Sequence, residues 1–133
     1  MKFLCLGYHD KTTFDALTVD EKLAALGPCP ALCEKMHETG KVVDERALAN
    51  HIRAKTIRMR NGKQIVSDGP FIETKEQLGA FFIVEAESIE EAVAVASMHP
   101  GALLGEEYGW GIEVRPIEQE EAMRKAFEQA KAI

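Results

Sequence analysis

Few side chains in this chain could do chemistry, and most of them sit beside a proline or a glycine. Asp68 precedes Gly69-Pro70-Phe71, a turn where its carboxylate either accepts hydrogen bonds from nearby N–H groups or acts as a general base or ligand contact. His99 precedes Pro100-Gly101 at the end of a helical stretch, and is either a cap for that helix or an acid/base group. Cys29 lies between Pro28 and Pro30 near a helix start, where a thiol pKa is lowered; a nucleophilic Cys29 with His99 as its base is a third arrangement. Phe71 is either a core plug or a ligand contact, and Trp110 joins it as a candidate ligand wall. Glu113 is a candidate contact too, unless Arg115 pairs with it on the same strand face. Arg58, with Arg60, either holds an anionic ligand or forms a solvated strand face. The chemistry open to this set is metal-free acid/base catalysis by His99 and Asp68, or reversible binding of a small molecule. Catalysis requires those two, with Cys29 or Glu113, to line one pocket. A binding or sensing module would leave them scattered or satisfied by backbone.

Cys29, Cys33 and His37 fall at i, i+4 and i+8, which invites a metal reading. On a helix, residues eight apart are separated by about 12 Å. The ligands of one zinc ion lie within about 4 Å of one another. No metal and no cofactor are therefore expected.

The elements that must position these groups are legible from periodicity and turn chemistry. Residues 2–8 are apolar at both parities, as in a strand covered on both faces. Residues 9–17 read as polar loop. Thr18 and Glu21 form a capping box for a helix that carries Leu23 and Leu26 inward. Gly27-Pro28-Cys29-Pro30 breaks it, and a second segment over about 31–39 packs Leu32 and Met36 before stopping at Gly40. Residues 42–48 form a short strand. Asn61-Gly62 joins strands 54–60 and 63–67 into a hairpin, with Ile57 and Met59 on a buried face and Arg58 and Arg60 opposite. Residues 74–78 are connecting chain and 80–84 an apolar strand. Ser88 and Glu91 make a second capping box, opening a helix with Ile89, Ala92, Val93 and Ala96 on its stripe. Residues 110–116 form the last strand, with Trp110, Ile112 and Val114 on one face. Residues 119–130 form a terminal helix striped by Ala122, Met123, Ala126 and Phe127.

This order predicts an α+β fold, a ferredoxin-like βαββαβ sheet with an inserted β-hairpin and a C-terminal helix. All 133 residues form one domain, with its core over about 2–117 and the terminal helix over about 118–131. Two core helices cover one face of such a sheet. Strands apolar on both faces leave the other face open, at a cost of about 25 cal/mol per Å². A homodimer stacked sheet on sheet covers it. A net charge of −6 disfavours nucleic acid and anionic membrane surfaces as partners. No apolar run approaches the roughly 20 residues of a membrane span, and three cysteines in no scaffold pattern point to the cytoplasm.

Asp68-Gly69-Pro70-Phe71, followed by Glu73-Thr74-Lys75-Glu76-Gln77-Leu78-Gly79 and closed by Gly111-Ile112-Glu113-Val114-Arg115-Pro116-Ile117, resembles the DGPF-type, YCII-related family over most of the chain. The resemblance implies a dimeric α/β barrel and a bacterial source. Some members sit beside extracytoplasmic-function sigma factors, which implies sigma-factor association as the regulatory alternative to small-molecule catalysis. Shorter YCII relatives pair a His on the first helix with an Asp in an Asp-Pro step. The corresponding positions here are near Cys29 and at His99-Pro100, so that pair is not kept.

Overall fold

In the computed structural model, which describes residues 1–132, the opening apolar run becomes strand β1 (Lys2–Asp10) at the middle of a sheet. β5 (Glu76–Glu85) and β6 (Trp110–Pro116) flank it, and β2 (Val42–Ala47) pairs outside β5, every pairing antiparallel. Among the described residues β3 (Lys55–Arg60) and β4 (Lys63–Asp68) pair only with each other, as an inserted hairpin. The sheet order β2-β5-β1-β6 places the four core strands in the ferredoxin-like arrangement. The fold is α+β, as the order of elements implies.

Helices α1 (Lys11–Asp15), α2 (Val19–Leu26) and α3 (Cys29–His37) make the first crossover; α4 (Ile89–Ala96), α5 (Pro100–Leu103) and α6 (Gly105–Tyr108) make the second. The terminal helix α7 (Glu120–Lys131) buries none of its residues. The core lies on one face of the sheet. Phe3 and Cys5 of β1 and Phe82 and Val84 of β5 alternate inward against Met36 of α3 and Ala92, Val95 and Ala96 of α4. Each fully buried large side chain contributes roughly 2–3 kcal/mol by removal from water.

Opposite parities line the other face. Leu4 pairs with Ile83 and Leu6 with Phe81, all four half-exposed, with Glu113 and Arg115 on one flank and Asp44 and Arg46 on the other. β1 is thus apolar on both faces, but among the described residues only one face is covered.

Local chemistry explains where the elements start. Thr18 Oγ1 accepts from the Glu21 N–H at 3.1 Å while Glu21 Oε1 accepts from the Thr18 N–H at 3.0 Å, a complete capping box. Ser88 caps α4, but Glu91 reaches the Glu87 N–H instead of the Ser88 N–H, so the second box is only half formed. Asn61 and Gly62 both take positive φ, 52° and 76°, the geometry a tight two-residue hairpin demands.

Several expectations are corrected. Residues 9–17 are not loop. β1 runs on to Asp10, whose carboxylate accepts from the Thr12 and Thr13 N–H groups and starts α1. β5 begins at Glu76, within the stretch read as connecting chain. Leu23 and Leu26 are exposed, because α2 turns Ala25 inward instead. α4 buries Ala92, Val95 and Ala96, leaving Ile89 and Val93 at the edge. Ile57 and Met59 are more than 60% exposed, because the hairpin pairs with no further strand among the described residues and its Ile57–Met59 face stays uncovered.

Candidate functional site

A cavity of about 510 Å³ opens on the helix-covered side of the sheet, between β1, β2, β5 and β6 below and α2, α3 and α5 above. Phe14 and Trp110 form an aromatic wall, their ring centroids 6.0 Å apart, and Leu26, Ala80 and Ile112 add apolar surface. A β-bulge shapes the floor. Opposite Gly7 and Tyr8 of β1, β5 carries an extra residue, Gly79, and a Cβ there would stand 2.8 Å from His9 Nδ1. This is the physical reason for glycine at that position.

The polar end of the cavity gathers Cys33 of α3, Glu45 of β2 and His99, with one ligand atom of each within 4.8 Å of the others. Their backbones explain the meeting. Glu45 pairs with Phe82 across β2 and β5, so the two share the helix-facing side of the sheet. The His99 ring stacks on Phe82 at 4.8 Å between centroids and an interplanar angle of 12°. His99 also caps α5, its Nδ1 accepting from the Gly101 N–H at 2.9 Å. Gly101 must be glycine-sized, since a Cβ would stand 3.0 Å from His99 Nδ1 and 2.8 Å from Ile112 Cδ1.

Burial holds the His99 pKa below its ordinary value; the Glu45 charge opposes this and His37 reinforces it. Burial pushes the Cys33 thiol up to about 11, and the Glu45 charge adds to the rise. Glu45 Oε2 is buried without a hydrogen-bond partner, although His37 Nε2 stands 3.3 Å away. The His37 imidazole is close enough to pair with this oxygen and belongs to the same polar cluster.

Of the residues singled out from sequence, His99, Cys29 and Trp110 line this cavity. Asp68, Phe71, Glu113 and Arg58 do not. Asp68 is highly exposed at the end of β4 and ion-paired with Lys55, whose hydrogen bond and charge hold its carboxyl below the usual range. Phe71 is not a core plug. It is 63% exposed, with the Arg58 guanidinium 4.0 Å above its ring and Arg58 donating to its carbonyl. Glu113 pairs with Arg115 at 2.6 Å on the open sheet face. Cys29 is no activated thiol. Burial raises its pKa, and its Sγ bonds the Ala25 carbonyl, because the chain arrives at α3 directly from α2. Glu45, Cys33 and His37 were not assembled from the sequence as a site. Cys33 and His37 share a helix face at i, i+4, but Glu45 sits in a charged run, Asp44-Glu45-Arg46, that looks like solvated strand.

The DGPF stretch and its continuation are held by hydrogen bonds and ion pairs to the hairpin and to the end of β1. The Thr56 hydroxyl donates to the Gly69 carbonyl, and the Gly69 N–H to Ala54. Lys11 pairs with Glu73 and Lys75 with Asp10, while the buried Gln77 amide donates to the Ile72 and Thr74 carbonyls. Together they fix the approach to β5, and through it the bulge beneath the cavity.

An uncharacterised protein of Rhizobium meliloti (strain 1021) is 34% identical over 96 residues, covering 72% of this chain and 77% of its own. The 5-chloro-2-hydroxyhydroquinone dehydrochlorinase of Burkholderia phenoliruptrix AC1100, solved with 2,5-dihydroxybenzoquinone, superposes with a TM-score of 0.47 at 16% identity, over 92% of this chain and 98% of that one. The profile of the YCII-related domain matches residues 1–119, and with it the chain belongs to the YCII-related domain family.

Proposed function

We propose that this protein binds a small, largely apolar, ring-sized molecule in the cavity beside His99, with the polar end of the ligand against Cys33, Glu45 and His99. The observation that carries this reading is the cavity itself, with an aromatic wall and the Cys33, Glu45 and His99 side chains converging at its inner end. Pockets of this size, mainly apolar with a few convergent polar groups, suit small-molecule ligands. Trp110 is the only tryptophan in the sequence and lines the cavity, so its fluorescence reports occupancy directly. Titration with small aromatic ketones and phenols should quench or shift that emission saturably. If no member of such a panel does so up to millimolar concentration, the reading is wrong.

A homodimer in the reducing cytoplasm completes the proposal. The strip Leu4, Leu6, Phe81 and Ile83 is half-exposed, with both signs of charge on each flank, so the same surface on a second copy is complementary to it. Sedimentation at micromolar concentration should give a dimer, and Leu6→Glu a monomer; a wild-type monomer refutes this. A regulatory reading, in which the protein acts on an extracytoplasmic-function sigma factor, draws support from the uncovered apolar side chains of the hairpin, Ile57, Met59 and Val66. Co-purification with such a factor that is lost in Ile57→Lys would favour it.

A further inference from the structure

Three donors of the kind that hold zinc meet at the inner end of the cavity, yet the hydrogen bond to His99 selects proton chemistry over metal chemistry. The Gly101 N–H occupies the lone pair of Nδ1, so in the neutral ring the proton sits on Nε2. A metal on Nε2 would need that proton moved to Nδ1, where it would face the Gly101 N–H. The stack on Phe82 fixes the ring plane, so the ring cannot swing to relieve the clash without leaving its packing. His99 is therefore held as a neutral N–H donor, with Nε2 the ring nitrogen left for a ligand.

Glu45 supplies the complement. Its carboxylate lines the same end of the cavity, with Oε2 buried 3.3 Å from His37 Nε2 and no hydrogen bond completed to that oxygen among the described residues. Cys33 belongs to the same cluster, and burial keeps it a thiol that does not compete as a nucleophile. A neutral imidazole donor beside a carboxylate suits one recurring task, the removal of a proton from carbon next to a carbonyl group.

We propose that His99 and Glu45 form a donor–base pair that enolises a small aromatic or cyclic ketone bound in the cavity. Glu45 takes the proton from the carbon beside the carbonyl. The C–H electron pair becomes the new carbon–carbon π bond, and the carbonyl π pair moves onto oxygen. The Nε2–H of His99 hydrogen-bonds that developing oxyanion. The Glu45 carboxylic acid then returns a proton to carbon, at the same atom or at a conjugated one, so no oxidant, reductant or metal takes part. This inference rests on the cavity being a small-molecule site, and the experiment separates the two claims.

The probe is 2-indanone, a neutral bicyclic ketone with activated C–H bonds. Trp110 quenching reads its binding, and proton NMR in D2O reads deuterium entry at the carbons beside the carbonyl. Wild-type protein should raise the exchange rate about 10²-fold or more above buffer. Glu45→Gln should bind the ketone and return exchange to background, and His99→Asn should lower exchange at least tenfold. Circular dichroism checks that both variants are folded. Binding with background exchange in the wild type, or undiminished exchange in Glu45→Gln, overturns the proposal while leaving the binding site intact. Absence of quenching overturns both. Independently, nitrogen NMR of the ¹⁵N-histidine protein should show the His99 proton on Nε2. A proton on Nδ1, or stoichiometric zinc binding that His99→Asn abolishes, refutes the assignment.

Discussion

Replacing Gly101 by alanine tests the packing that orients His99. The new Cβ would stand 2.8 Å from Ile112 Cδ1 and 3.0 Å from His99 Nδ1, against roughly 3.5–4.0 Å for comfortable contact. Gly101 has no positive φ, so the cost is steric and not one of backbone strain. Ile112 Cδ1 ends a flexible side chain and can yield, but the His99 ring is pinned between the Gly101 N–H and the Phe82 face. Overpacking of this kind costs about 1–3 kcal/mol, which for a domain of this size lowers Tm by about 4–10 °C. Denaturant unfolding followed by far-ultraviolet circular dichroism and Trp110 fluorescence measures it. The companion variant Ile112→Val removes the Cδ1 half of the clash at a cost of about 0.5–1.5 kcal/mol by itself. The double variant should therefore be more stable than the two single effects sum to, by about 1 kcal/mol. The His99 half of the clash remains, so its ¹⁵N signals should stay displaced in the double variant. Gly101→Ala within about 0.5 kcal/mol of wild type, with unshifted His99 signals, would refute the reasoning.

Phe82→Ala, which empties a fully buried site and removes the surface beneath His99, should cost about 3–5 kcal/mol in the same assay. Thr18→Ala, which removes one half of a complete capping box, should cost about 1 kcal/mol and leave the cavity unaffected. Stability should also fall on acidification through His99. Its folded pKa lies below the unfolded value of about 6.5, so the unfolded chain binds the proton first, and the loss grows below that pH until the folded value is passed. Glu45 opposes the shift, His37 reinforces it, and Cys33 remains a neutral thiol across this window. Urea midpoints at about pH 7.5 and 5.5 should accordingly differ less in His99→Asn than in wild type. With both pKa values raised by burial, Cys29 and Cys33 should react with iodoacetamide more slowly than glutathione at mildly alkaline pH. Rapid alkylation of Cys29, read by mass spectrometry, would restore the nucleophile that the structure argues against.

What the sequence determined by itself is whatever acts over a few residues or repeats with a fixed period. Thr18 and Glu21 specify the start of α2 because both bonds of the box lie within one turn. Asn61-Gly62 specifies the hairpin because both residues tolerate positive φ. The apolar run of β1 and the alternation of β6 identify core strands, and the order of elements then leaves the ferredoxin-like sheet as the arrangement. Even His99 and Trp110 were legible as candidates, the first from its place before a Pro-Gly step.

Tertiary structure decided which candidates meet. Asp68 and His99 were the natural catalytic pair in the sequence, but the hairpin carries Asp68 out to Lys55, beyond the cavity. Register alone brought Glu45 into the cluster that holds His99. Its pairing opposite Phe82 turns a carboxylate from an apparently solvated run toward the helices, and a slip of one residue would have turned it away. Amphipathic patterns misled for a related reason. Leu23, Val93 and the hairpin apolar residues mark a face, but whether that face is buried depends on which element arrives to cover it, a fact of the assembled chain that no local period contains.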